Sequence, residues 1–193
     1  MPLVRYLPLS LTLLRALLGP ALLLLATWYP DKALFGACLV AAFLSDVFDG
    51  IIARRLRIAT ATLRRLDSIA DSLFYVCAGI AAWRLYPNAV SERSTALIVL
   101  AALELVRYAY DYAKFRREAA YHMWSSKAWS IFLFAGFLGL FCFGHQGIWL
   151  SLAVYAGIVA DLEGLAISVV LSELKGDVPS LLHACRLRAA GGA

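Results

Sequence analysis

The chain has 193 residues, of which 62% are hydrophobic and 16% charged, with a formal net charge of +5 and a mean hydropathy of +0.76. Soluble domains carry about 45–50% apolar and about 25% charged residues, so a water-soluble globule is excluded and a polytopic membrane protein, one domain over residues 1–193, is expected. The excess of cations is dispersed in a pattern that fits membrane topology and anionic headgroups, so no nucleic-acid partner is expected.

In lipid, every backbone polar group must be satisfied within a helix or a closed barrel. The Leu- and Ala-rich runs here lack strand-like alternation, which selects helices. Spans need about 20 apolar residues, and the sequence offers 10–29, 33–53, 67–86, 94–112, 127–144 and 148–174. The predicted fold is therefore an all-α integral membrane protein, a bundle of six transmembrane helices.

The segment Met1–Pro30 has a basic residue ahead of an apolar run, but Arg15 interrupts that run and no small-x-small cleavage site follows. It is read as the first span and not as a signal peptide. Arg15 either snorkels to the headgroups or closes a polar cavity. The connections at Pro30–Lys32, Pro87–Arg93 and His145–Gly147 are short and hold few cations. The N-terminus, the 54–66 and 113–126 links and the tail hold most of the Lys and Arg, so the positive-inside rule places both termini in the cytoplasm. Trp28, Tyr29, Trp83, Tyr86 and Trp149 then form an interfacial belt at the opposite ends. The tail, 180–193, is predicted to be short and cytoplasmic, with an interfacial helix over Ser180–Arg188 and disorder from Ala189 onward. The cysteines Cys38, Cys77, Cys142 and Cys185 are scattered singly and read as small packing residues.

The chemistry concentrates in 46–71, on the second and third helices. Asp46 and Asp49 are spaced i,i+3, and Asp67 and Asp71 i,i+4, so each pair projects from one helix face. A hairpin turning near Arg57–Ala59 brings all four to similar levels, with Asp46 on the order of 10 Å inside the helix end. An ionised Asp at membrane depth costs at least about 2.5–3.5 kcal/mol, so these groups must be protonated, paired or metal-bound. An oxygen-only donor set suits Mg²⁺, with Mn²⁺ as the alternative, better than zinc. Two such ions can clamp a phosphate ester during displacement. Gly50 and Ala53 share the face of Asp46 and Asp49 and leave room for a ligand, and Arg54 offers a forked donor to phosphate oxygens.

The order Asp46-x-x-Asp49-Gly50-x-x-Ala53-Arg54, then Asp67-x-x-x-Asp71, resembles the D-x2-D-G-x2-A-R-x8-G-x3-D-x3-D signature of the class I CDP-alcohol phosphatidyltransferases, with its full spacing. Leu11-Thr12, Arg15 and Pro20 are similar to the family's N-x-L-T-x2-R-x4-P opening. Leu63 stands where the signature has glycine and Leu9 where the opening has asparagine, which marks a divergent member. The resemblance implies transfer of a phosphatidyl group from CDP-diacylglycerol, or a related CDP-alcohol, to a small alcohol with release of CMP. It implies two Mg²⁺ ions on Asp46, Asp49, Asp67 and Asp71, with Asp71 as general base. Asp46, Gly50, Ala53 and Arg54 would bind the CDP substrate at a site facing the cytoplasm, in a homodimer of the cytoplasmic membrane.

The remaining intramembrane charges are open to two readings. Glu104, Arg107 and Asp111 form either an ion ladder facing the bundle interior or, through Arg107, part of an acceptor site. Arg116, Arg117 and Lys127 either anchor topology or bind an acceptor phosphate, which would favour glycerol 3-phosphate or inositol phosphate. Of Asp161 and Glu163, which cannot face the same way, Glu163 is expected to point inward. A cation-coupled transporter would explain buried acids too, but the sequence shows neither broken helices nor inverted repeats. A non-catalytic relative that keeps the motif is the other alternative.

Overall fold

The computed structural model describes residues 7–56, 60–117, 119 and 121–191. Among them the elements are all α-helices: α1 (Leu7–Trp28), α2 (Lys32–Arg55), α3 (Ala61–Leu85), α4 (Pro87–Ser91), α5 (Ser94–Phe115), α6 (Trp124–Phe143), α7 (Ile148–Val170) and α8 (Leu181–Gly191). Each expected span finds a helix, and the larger boundary differences have local causes. α3 starts at Ala61, ahead of its apolar run, because the Thr60 hydroxyl accepts the Leu63 N–H at 3.2 Å and caps the helix. α2 starts at Lys32 because the Asp31 carboxylate accepts the N–H groups of Ala33 and Leu34, each at 2.9 Å. α4 falls in the Pro87–Arg93 connection, with Pro87 at its first position, where no amide hydrogen is needed. α8 continues to Gly191, so the expected disorder from Ala189 gives way to helix up to that point. The hairpin turn expected at Arg57–Ala59 lies outside the described residues.

Five of the described helices are long and apolar enough to cross a membrane: α1, α2 over Lys32–Ile52, α3 over Arg65–Leu85, α6 and α7. The protein is a multi-pass integral membrane protein. The remaining long helix, α5, has 22 residues, but Glu104, Arg107, Asp111 and Lys114 interrupt its apolar character.

The chain divides into two compact units. The first runs to Val90 and takes in Phe137–Gln146, so that it holds α1, α2, α3 and the end of α6. Here α1 packs along both α2 and α3. Its core is Leu22, Leu39, Ala78, Ala81 and an aromatic group in which Phe35 stacks on Phe141 at 4.9 Å and Phe137 on Phe141 at 5.9 Å. The second unit, Ser91–Gly136 with Gly147–Ala193, holds α5, the start of α6, α7 and α8. In it α7 packs on α5 and α8, and Tyr121, Met123, Ile167, Leu171, Val178 and Ala184 form one buried cluster.

α8 is joined to α7 at two points. The Glu163 carboxylate accepts the Leu181 N–H at 3.1 Å at the start of α8, and Arg188 donates to the Val170 carbonyl at 3.3 Å at the end of α7. Lys114 adds bonds to the Ser168 and Val169 carbonyls at 2.8 and 3.2 Å. Cations thus satisfy carbonyls that the last turn of a helix leaves open.

Candidate metal centre

The centre is built on α1. Its buried residues, Pro8, Thr12, Arg15, Gly19, Leu22 and Ala26, recur at alternating steps of four and three and form one stripe. Gly19 lets this stripe approach α3 closely, since a Cβ there would lie 2.9 Å from the Phe74 Cα and 3.4 Å from the Leu73 carbonyl oxygen. One turn back along each helix, the close approach delivers Arg15 to Asp71. α2, lying along α1, supplies Ser45, Asp46 and Asp49.

The guanidinium of Arg15 is the hub. One terminal nitrogen, Nη1, bonds Asp67 Oδ1 at 3.0 Å, lies 3.1 Å from Asp46 Oδ1, and also bonds Asp71 Oδ1. The other, Nη2, bonds Asp49 Oδ2, while Nε reaches the Ser45 hydroxyl at 3.4 Å. That hydroxyl donates to the Ala42 carbonyl at 2.7 Å, so it is free to accept. Arg15 is 2% exposed and Asp49 5%, whereas Asp46, Asp67 and Asp71 remain 39%, 33% and 37% exposed. The cluster therefore has a closed floor, Arg15 with Asp49, and three acids around an accessible rim.

The expectation that both acid pairs reach one place agrees with this geometry. One oxygen each of Asp46, Asp49 and Asp67 lies within 4.8 Å of the others, and these atoms could hold a metal ion. The donors are all hard oxygens, and a single guanidinium faces four carboxyl groups. A divalent cation fits both the donor chemistry and the charge left over. Asp71 meets the other acids through Arg15.

Arg15 itself was open between two roles in the sequence, and the structure places it inside. A usable signal was present: Thr12, Gly19 and Ala26 share its stripe, and small residues at that period mark the face a helix packs. Ser45, which orients the guanidinium, carried no signal beyond its place beside Asp46. Gly50 follows Asp49 in α2; the side chains of Ala53 and Arg54 lie outside the described set. Leu63 sits in the first turn of α3 with its N–H on Thr60, in backbone that does not require glycine.

The residues expected at an acceptor site all belong to the second unit. Arg107 faces Asp161 of α7, with Nε 3.2 Å from Oδ1. Gly164 makes room for this crossing, since a Cβ there would lie 3.0 Å from the Arg107 Cδ. The ion ladder expected along α5 does not form in that way: Arg107 pairs across to α7, Asp111 is buried, and Glu104 is exposed. Asp161, not Glu163, points inward, at 2% exposure. The reason is register, since Gly157, Asp161 and Gly164 share the buried face of α7 and Glu163 is turned toward α8. Arg116 is exposed in the left-handed conformation that ends α5 (φ 59°), and Arg117 is exposed beside it. Lys127 lies over the Trp124 ring, 4.8 Å from its centroid.

A second polar chain lies in the same unit. Ser168 donates to Asp111 Oδ1. With its proton so committed, Ser168 accepts from the Tyr121 hydroxyl at 2.9 Å. Burial pushes the Tyr121 phenol above its ordinary value, which keeps it a donor.

A family model described as CDP-alcohol phosphatidyltransferase matches residues 5–160, a stretch that covers Arg15, the four aspartates and the α5 and α6 cations. No curated protein and no solved structure matches the chain significantly.

Proposed function

The chain belongs to the CDP-alcohol phosphatidyltransferase family and carries that activity, and on this premise we propose that it moves a phosphatidyl group from CDP-diacylglycerol to a small alcohol. The acceptor oxygen attacks the phosphorus next to the lipid, the bond to CMP breaks, and the acceptor proton leaves to a base. The observation that supports this reading best is the convergence of Asp46, Asp49, Asp67 and Asp71, from two helices, on one buried guanidinium. One counter-ion would suffice to neutralise Arg15, so packing alone does not explain four acids at that place.

Asp46, Asp49 and Asp67 would hold a divalent ion, and with Asp71 the set offers ligands for two, Mg²⁺ or Mn²⁺. When bound, the ions supply positive charge for the phosphate oxygens and for the departing CMP. Asp49, on the closed floor, fixes the base of the cluster. Asp71, exposed at the rim with one oxygen engaged by Arg15, has its other oxygen to offer the acceptor proton. Gly50, Ala53 and Arg54, further along the same helix, would bind the cytidine and diphosphate together with Asp46.

The cations Arg107, Arg116, Arg117 and Lys127 support a phosphorylated acceptor such as glycerol 3-phosphate or inositol phosphate. The distribution of Lys and Arg supports a sixth span through α5 and cytoplasmic termini, with the reaction on the cytoplasmic side of one membrane domain. Family resemblance supports a homodimer. The test is CMP release by the purified protein from labelled CDP-diacylglycerol, with Mg²⁺, against a panel of free and phosphorylated alcohols. Release stimulated by one of the phosphorylated alcohols is expected. No release with any acceptor, from CDP-diacylglycerol or another CDP-alcohol, would overturn the proposal.

A further inference from the structure

The metal reading raises a question that its ligands do not answer, because the same carboxylates already hold a cation. Arg15 engages Asp46 Oδ1, Asp49 Oδ2, Asp67 Oδ1 and Asp71 Oδ1, and three of those four residues make up the group able to hold an ion. A magnesium ion takes oxygen ligands at about 2.0–2.1 Å, in near-octahedral directions. A guanidinium nitrogen at 3.0–3.1 Å already holds one oxygen of Asp67 and one of Asp46. A divalent ion on these carboxylates would meet the repulsion of the guanidinium charge beside it and would have to share or take over its acceptors.

Among the described residues Arg15 also has no alternative partner of comparable strength. It sits in the middle of an apolar helix, 2% exposed, with only the Ser45 hydroxyl as a neutral acceptor. The four acids in turn depend on it during insertion, since without it their charges would face each other at membrane depth. The arrangement therefore does two things: it makes the acidic centre tolerable to fold, and it sets a limit on how tightly a metal can bind there.

We infer that Arg15 is a resident counter-ion that competes with the divalent cation for the same carboxylates, so that metal entry displaces its guanidinium from at least part of the cluster. This rests on the reading of the cluster as a metal site. Arg15 is then a positioning residue: it acts on the reaction through the acids and the metal they hold. Its removal weakens the protein without metal and strengthens metal binding, whereas a guanidinium that only braced the metal ligands would, on removal, weaken both.

The experiment compares the full-length protein in detergent with Arg15→Gln and Arg15→Lys, using Mn²⁺ alone as probe. Mn²⁺ affinity is read by electron paramagnetic resonance, and thermal unfolding is followed with and without the ion. In Arg15→Gln we expect the affinity to rise by about tenfold or more, the equivalent of about 1.4 kcal/mol. Its melting temperature without metal should fall, and the gain on adding Mn²⁺ should exceed that of the unsubstituted protein. Arg15→Lys keeps a charge but cannot span four carboxylates, so it should fold and show a smaller rise in affinity. Should Arg15→Gln fail to fold without metal, Arg15→Lys alone decides: a higher affinity supports the inference and an unchanged one overturns it. Unchanged or weaker Mn²⁺ binding in Arg15→Gln overturns the inference while leaving the metal reading intact. No Mn²⁺ uptake by any of the three proteins overturns both.

Discussion

Among the described residues each unit holds an ionic centre within its helices, and the two are built to different rules. In the first, a single guanidinium serves four carboxyl groups, three of them open at the rim. In the second, Arg107 has Asp161, Lys114 covers the end of α7 close to Asp111, and Tyr121 and Ser168 complete the chain to Asp111. In the second centre each buried acid has a cation or hydroxyl of its own unit beside it. The first is left negative and partly open. A buried acid with its own partner holds helices together; an excess of acids asks for a ligand of opposite charge, and this asymmetry singles out the first centre as the one that calls for a cation.

The largest test of that contrast is catalytic. Asp71→Asn should lower CMP release by about 10²–10⁴-fold, the range for loss of a general base, while gel filtration shows the protein unchanged. Asp161→Asn, in the second centre, should leave the turnover of folded protein largely intact. Near-normal turnover in Asp71→Asn would remove that residue from the base role.

Stability reads the same contrast from the other side. Arg107→Met leaves Asp161 buried without its partner and should destabilise by about 3–5 kcal/mol in detergent unfolding. Adding Asp161→Leu should recover most of the loss; if it does not, the pair is more than a scaffold. Mg²⁺ at about 100 times its dissociation constant should then stabilise by about 2.7 kcal/mol. In hydrogen exchange the protection should fall on α2 and α3 around the acids and spare α5 and α7. Equal protection in both units would erase the distinction.

Two glycines give a finer comparison. A methyl at Gly19 would meet the backbone of Phe74, which cannot move aside, whereas one at Gly164 would meet the end of the flexible Arg107 side chain. Gly19→Ala should therefore cost about 1–3 kcal/mol, and Gly164→Ala clearly less in the same unfolding measurement. Leu63→Gly is the smallest change. It should loosen the first turn of α3 by about 1 kcal/mol, and a lower KM for the CDP donor in that variant would give the missing signature glycine a role in binding.

Much of the first unit was legible from residues alone, because its features are local. The acid pairs at i,i+3 and i,i+4 predict their faces, and apolar runs predict the helices that carry them. What joins those faces is long-range: Arg15 lies thirty or more residues from every acid it touches. In the second unit the expectations were weaker for the same reason. Asp161 and Glu163 are two positions apart on a helix that is apolar nearly all round, so periodicity did not choose between them. Only the small residues Gly157 and Gly164, pressed against Trp129 and Arg107, reveal which face is buried.

The two attachments of α8 have a practical consequence for anyone handling the protein. Truncation before Leu181 would strip Glu163 of its amide partner and Val170 of the guanidinium on its carbonyl, and would uncover the pocket of Ala184. Purification handles and fluorescent fusions thus belong after α8, where they leave both attachments in place.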